Sequence, residues 1–224
     1  MPGEHLSNPT GLSMSTAALE EILACGPVIP VVIIDRPQDA VALAGALHEG
    51  GMRVVEVTLR TPCALEAIER ISKAFPEMRV GAGTLRHPDD VRAAKQAGAV
   101  FGVSPGYLLH IDEACEEVGL PLLPGVATPT EIMQATARGR RLLKLFPAQA
   151  VGGLALLKAL ASPCSGIRFC PTGGISLTNA RDYLALPNVA CVGGSWMAPS
   201  DLMAQGRWAS ISELAAQAQQ LRRP

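Results

Sequence analysis

The feature that most constrains this chain is an alternation repeated eight times, in which a short apolar run is followed by a segment with helical periodicity. The runs are VIPVVII (28–34), VVEVTL (54–59), RVGAGT (79–84), VFGVSP (100–105), LPLLPGV (120–126), RLLKLFP (141–147), IRFCPTG (167–173) and VACVGGS (189–195). Most are continuously apolar rather than alternating, which is the pattern of strands buried on both faces of a parallel sheet. Between them lie segments such as CALEAIERISKAF, HPDDVRAAKQAG and PTEIMQATARG, several opening at Pro, Ser or Asp and stopping at Gly, as capped helices do. A helix near Ser15–Cys25 precedes the first strand, and ISELAAQAQQLRR closes the chain. The pattern predicts an α/β fold, a (β/α)8 TIM barrel over 15–224, as a single domain with an extra N-terminal helix. Residues 1–14 read as a disordered leader. A doubly wound open sheet is the alternative, but its usual six or so strands leave two units over.

Charge and composition narrow the partners. The 224 residues are 48% apolar and 17% charged, with a formal net charge of −1, which suits a large core and offers no field for nucleic acid or an anionic membrane. No apolar stretch reaches the roughly 18 residues of a membrane span. The start, MPGEHLSNPTGLSMS, lacks the charged and apolar regions of a secretory signal. The six cysteines are scattered without a CxxC pair, so free thiols in a reducing cytoplasm are predicted, with neither disulfides nor a zinc site. None of His5, His48, His87 and His110 falls at a strand end, which argues against a histidine triad or a metal centre.

A barrel places its active site at the C-terminal ends of its strands, so polar residues inside or just after the apolar runs are the informative ones. They are Glu56, Arg60, Thr84, Ser104-Pro105-Gly106, Thr128, Lys144, Thr172-Gly173-Gly174 and Gly193-Gly194-Ser195. Lys144 stands mid-run in RLLKLFP and reads either as a rim lysine or as an amine in an apolar lumen, where charge is disfavoured and a neutral amine can attack a carbonyl. Glu56 reads as a structural partner of a cation or as a proton shuttle. Together they tip toward iminium chemistry. The glycine pairs of PTGG and VGGS follow the last two strands, where barrel enzymes bind phosphate through backbone N–H groups; tight turns are the alternative. GGM (50–52) reads as a helix C-cap and VGG (151–153) as a helix start. Arg60 fits a bidentate grip on a carboxylate or an ion pair with Glu56 or a rim acid. Thr84 offers that carboxylate a hydroxyl, while Gly81 and Gly83 would leave lumen space for a ligand.

EVTLRT (56–61), VGAGT (80–84), SPG (104–106), LLPGVATPTE (122–131), KLFPA (144–148), RFCPTGGI (168–175) and VGGSW (192–196), in that order, resemble the 2-keto-3-deoxy-6-phosphogluconate (KDPG) aldolases, enzymes that often carry 4-hydroxy-2-oxoglutarate aldolase activity as well. The resemblance runs from about Thr16 to beyond Trp196. It implies a class I, metal-independent lyase of the Entner–Doudoroff pathway, cytoplasmic, usually a homotrimer, with no cofactor beyond a covalent imine. Carried over by motif, Lys144 is the Schiff-base lysine and Glu56 the general acid/base. Arg60 and Thr84 hold the pyruvate-end carboxylate, Phe146 packs on the bound chain, and Pro105 shapes the pocket. Gly173, Gly174 and Ser195 bind phosphate, with Thr172 and Gly194 beside them. The substrate is a keto-acid phosphate cleaved to pyruvate and glyceraldehyde 3-phosphate. One departure stands out: Gln149 occupies the position after FPA where the family usually has Glu, at what reads as a rim position. Two rival readings are the 2-keto-3-deoxy-6-phosphogalactonate aldolase, which differs at the C4 stereocentre, and a non-catalytic sugar-phosphate binding barrel, which needs neither Lys144 nor Glu56.

Overall fold

A computed structural model describes residues 14–221. The leader predicted for 1–14 lies, except for Met14, outside the described residues, as do the last three residues of the chain. Parallel strands β1 (Val28–Val32), β2 (Val54–Thr58), β3 (Arg79–Gly83) and β4 (Phe101–Val103) pair in chain order. The fifth run divides at Pro124 into β5 (Leu122–Leu123) and β6 (Gly125–Val126). Proline has no N–H to give to a ladder. The first half therefore pairs with β4 and the second with β7 (Leu142–Leu145), while the Pro124 carbonyl accepts from the Lys144 amide at 2.8 Å. β7 pairs β8 (Arg168–Pro171), bridges at Phe169–Val189 and Thr172–Gly193 join β8 to the β9 region (Val192–Gly194), and β9 pairs β1. The ring is closed, as the alternation predicts, and the open-sheet alternative is excluded.

Outside the ring lie α2 (Asp39–Glu49), α3 (Ala64–Ala74), α4 (Pro88–Gln96), α5 (Leu109–Glu117), α6 (Pro129–Ala137), α7 (Gly153–Leu160), α8 (Ala180–Leu184) and α10 (Trp208–Gln219). Gly50 caps α2 and Gly152-Gly153 open α7, as the sequence predicts. One helix has no counterpart in the sequence reading: α9 (Ser200–Ala204), a single turn too short to show periodicity. Thr128, singled out as a strand-end polar residue, is instead the N-cap of α6. Its hydroxyl accepts from the Glu131 amide, and the Glu131 carboxylate accepts from the Thr128 amide at 2.8 Å, a reciprocal cap that occupies both side chains.

The interior has two parts. The larger core lies between strands and helices. The smaller one fills the lumen at the starts of the strands, where Val54, Phe101, Leu123, Leu142, Cys170 and Cys191 meet Leu19, Ile22 and Leu23 of α1 (Met14–Leu23). The extra N-terminal helix thus plugs the end of the barrel opposite the strand C-termini. Gly81 does not open lumen space for a ligand, contrary to the sequence reading, because the Phe101 ring already occupies the room that its missing side chain leaves.

On the outer face the fully buried Asp112 accepts from Arg140 Nε at 2.7 Å and from the Tyr107 hydroxyl at 3.3 Å, while Glu116 takes Arg138 and Arg140. The carboxylates of this network face Cys115, whose thiol is pushed up to about 12 by burial and then by Asp112, with Arg140 partly opposing. The folded chain therefore keeps Cys115 protonated where an unfolded thiol, at 9.0, already ionises, so stability contributed by this group is complete below pH 9 and declines as pH rises toward 12. At pH 8.5, iodoacetamide should leave Cys115 unmodified in native protein and alkylate it in denaturant, with peptide mass mapping as the readout.

Candidate active site

Glu56 sits at the centre of β2 and Lys144 in β7, one strand on each side of the ring. Both are almost wholly buried, at 3% and 5% exposure. Lys144 Nζ donates to Glu56 Oε1 at 3.1 Å and to Oε2 at 3.4 Å across the lumen. The lysine is thus a lumen amine, not a rim residue, and Glu56 is its partner rather than that of Arg60. Gly83 is what makes this possible, since a Cβ there would collide with Glu56 Oε1. Its room goes to the carboxylate instead of to a ligand. The Phe146 ring lies 5.3 Å from Nζ, a cation–π contact that also covers the amine on its outward side.

Beyond Phe146 opens a cavity of about 600 Å3. Its lining includes Arg60, Phe146, Thr172, Gly173, Gly174, Gly194 and Ser195, so the structure gathers most of the predicted substrate-binding residues around one space. Arg60 follows β2 directly, and its Nε donates to the Thr84 hydroxyl at 3.3 Å. Thr84 holds a φ of +66°, a left-handed conformation that costs a non-glycine residue about 1–3 kcal/mol and turns its side chain toward Arg60. The ends of β1 and β2 are stitched by Thr58 Oγ1 to the Val32 carbonyl at 3.0 Å and by Thr61 Oγ1 to the Ile34 carbonyl at 2.6 Å. Pro105 does not line the cavity. Its carbonyl rests on Gly125, the register partner of Lys144, so it shapes the lumen wall beside the lysine strand. Ser104 is buried and donates to the Gly106 carbonyl at 2.8 Å, which fixes the same loop.

The glycine pairs serve geometry as well as access. Gly173 and Gly174 have φ of +100° and +77°, a turn that side chains resist. A Cβ on Gly193 would strike Thr172, and one on Gly194 would strike the Trp196 ring. Gly173-Gly174 form the tight turn that the sequence reading allowed, Gly193-Gly194 instead end β9, and both pairs line the cavity. Gln149 is exposed at the rim, as the sequence suggested; its amide donates to the Gly173 carbonyl at 3.0 Å and its neutral side chain covers Gly174. Sequence reasoning missed Ile33, Asp35, Arg36, Asp39 and the α9 residues Ser200 and Met203, which complete the opposite wall. The signal was available for Asp35 and Arg36, which directly follow the first apolar run. Among the described residues no cluster of three or more His, Cys, Asp or Glu is arranged to hold a metal.

A buried lysine–glutamate pair beneath a cavity walled by arginine at one side and glycine turns at the other matches one family along nearly its whole length. The family model for KDPG and KHG aldolase covers residues 19–214. The chain belongs to this aldolase family. It is 49% identical over 199 residues to the 2-dehydro-3-deoxy-phosphogluconate aldolase of Dickeya dadantii, covering 89% of this chain and 93% of that one. Among solved structures, the KDPG aldolase of Legionella pneumophila, with pyruvate captured as a covalent carbinolamine, superposes with a TM-score of 0.87 at 43% identity, covering 89% of this chain and 97% of that one. The Zymomonas mobilis KDPG aldolase with 3-phosphoglycerate gives 0.88 at 42% identity, covering 93% and 98%.

Gly83→Ala should drive the Glu56 carboxylate away from Lys144 while leaving the strand intact. We expect turnover in an aldol cleavage assay to fall by about a hundredfold or more, the scale of a lost acid–base step, and the thermal midpoint to fall as well, because each buried charge loses its partner. Wild-type turnover in the variant would mean that the close approach at Gly83 is not needed.

Proposed function

We propose that this chain is a class I aldolase that cleaves KDPG to pyruvate and glyceraldehyde 3-phosphate, and 4-hydroxy-2-oxoglutarate to pyruvate and glyoxylate. The observation that carries the reading is the 3.1 Å contact between Lys144 Nζ and Glu56 in a closed apolar lumen beneath the cavity. An amine must be neutral to attack, and Glu56 is placed to take the proton that the ammonium loses. Lys144 adds to the C2 ketone, and loss of water leaves a protonated imine. That cation accepts the electron pair of the C3–C4 bond as a base removes the C4 hydroxyl proton. Glyceraldehyde 3-phosphate departs, Glu56 returns a proton to C3 of the pyruvate enamine, and hydrolysis frees pyruvate and the lysine.

In this reading Arg60 and Thr84 hold the C1 carboxylate, and Gly173, Gly174, Gly194 and Ser195, with Thr172 beside them, receive the phosphate. Because the imine is the electron sink, no metal is required. In this reading the reaction belongs to the Entner–Doudoroff pathway in the cytoplasm, where the cysteines stay reduced. The working assembly is a homotrimer, and the exposed apolar side chains Leu108 and Leu109 on α5 and Met133 on α6 are candidates for burial in it.

Borohydride reduction in the presence of pyruvate should add one reduced pyruvyl mass at Lys144, located by peptide mapping. No adduct, or an adduct on another lysine, would sink the assignment. Ser195 is exposed, so its truncation should be tolerated by the fold. Ser195→Ala should raise KM for KDPG about tenfold more than KM for 4-hydroxy-2-oxoglutarate, the size of one hydrogen bond to a charged group. Equal changes for the two substrates would remove the phosphate role of this turn.

A further inference from the structure

We propose that Arg36 is the cation that receives the distal phosphate, and that Asp39 holds it at the cavity wall until substrate arrives. The inference rests on the proposed reaction and adds a residue to which that reading gives no role. Glycine turns supply backbone N–H groups but no formal charge, whereas a phosphate dianion is held most strongly by charge-assisted contacts, with guanidinium as a bidentate partner. Two arginines line the cavity, Arg60 and Arg36. Arg60 lies beside Thr84, at the end assigned to the substrate carboxylate. Arg36 follows β1, and β1 pairs β9 in a register that sets Pro30 beside Gly194. Arg36 and the residues Gly194 and Ser195 at the end of β9 line the same space.

The state of the side chain fits such a role. Arg36 Nε donates to Asp39 Oδ2 at 2.7 Å, while the Arg36 side chain is 50% exposed and that of Asp39 only 14%. Of the five N–H donors on a guanidinium, this contact uses one, and the other four sit on the two terminal nitrogens. Asp39 itself stands at the first position of α2, so its carboxylate is favourably placed at a helix N-terminus and anchors the arginine from a fixed element. An exposed ion pair of this kind contributes little to stability, about 0–1 kcal/mol. Changing either partner should therefore leave the fold intact and report on binding.

The two partners predict opposite signs. If Arg36 binds phosphate, Arg36→Gln removes the attraction, whereas Asp39→Asn removes a competing negative charge and releases the arginine. If the pair only braces the loop, both substitutions break the same contact and act in the same direction. The test is steady-state cleavage of KDPG and of 4-hydroxy-2-oxoglutarate by the full chain and the variants, read as the ratio of the two KM values. Arg36→Gln should raise the ratio of KM for KDPG to KM for the unphosphorylated substrate about tenfold, Arg36→Lys should raise it less, and Asp39→Asn should lower it. A ratio that stays put in Arg36→Gln, or that moves the same way in Arg36→Gln and Asp39→Asn, overturns the role of Arg36. Wild-type protein that releases pyruvate from neither substrate overturns the reaction itself and this inference with it.

Discussion

An ammonium and a carboxylate at the centre of an apolar barrel are costly to bury, and each is tolerable there only because the other lies within hydrogen-bond reach. The Lys144–Glu56 contact joins residues 88 positions apart in the chain, so it exists only once the ring of strands has closed. Much of the surrounding detail serves this pair. Gly83 gives up a side chain so that the carboxylate fits, Phe146 covers the amine, and the Pro124 carbonyl fixes the backbone of Lys144 at the break between β5 and β6. Removing one partner would strand the other charge, which is why the pair behaves as a unit in both folding and chemistry.

The Lys144 amine lies in the lumen, and Phe146, 5.3 Å from it, also lines the cavity. Arg60, held by the Thr84 hydroxyl, and Arg36 both line it, together with the glycine pairs and Ser195. Gln149 brings no charge to the glycine turn that it covers.

Much of this was legible because buried parallel strands announce themselves as continuous apolar runs, and because a charged residue inside such a run has few explanations. Lys144 and Glu56 were visible on that ground. Other details depend on contacts between distant segments. Gly81 and Gly83 looked alike in VGAGT, yet one makes room for the Phe101 ring and the other for Glu56. Thr128 shared the strand-end position of site residues, but its hydroxyl is spent on Glu131. Ser200 and Met203 of α9 had no motif, because a single helical turn carries no periodicity.

The sequence by itself determined the alternation of elements, the closed parallel barrel and the glycine pairs at the last two strands. Each follows from local hydrophobicity, side-chain volume and backbone freedom, which are properties of short stretches. Tertiary structure alone decided which polar groups meet. It paired Lys144 with Glu56 rather than Arg60 with Glu56, gave the lumen space at Gly81 and Gly83 to protein side chains, and set Arg36 on the cavity that Gly194 and Ser195 also line. Those outcomes turn on strand register and ring closure, which relate residues that no local pattern connects.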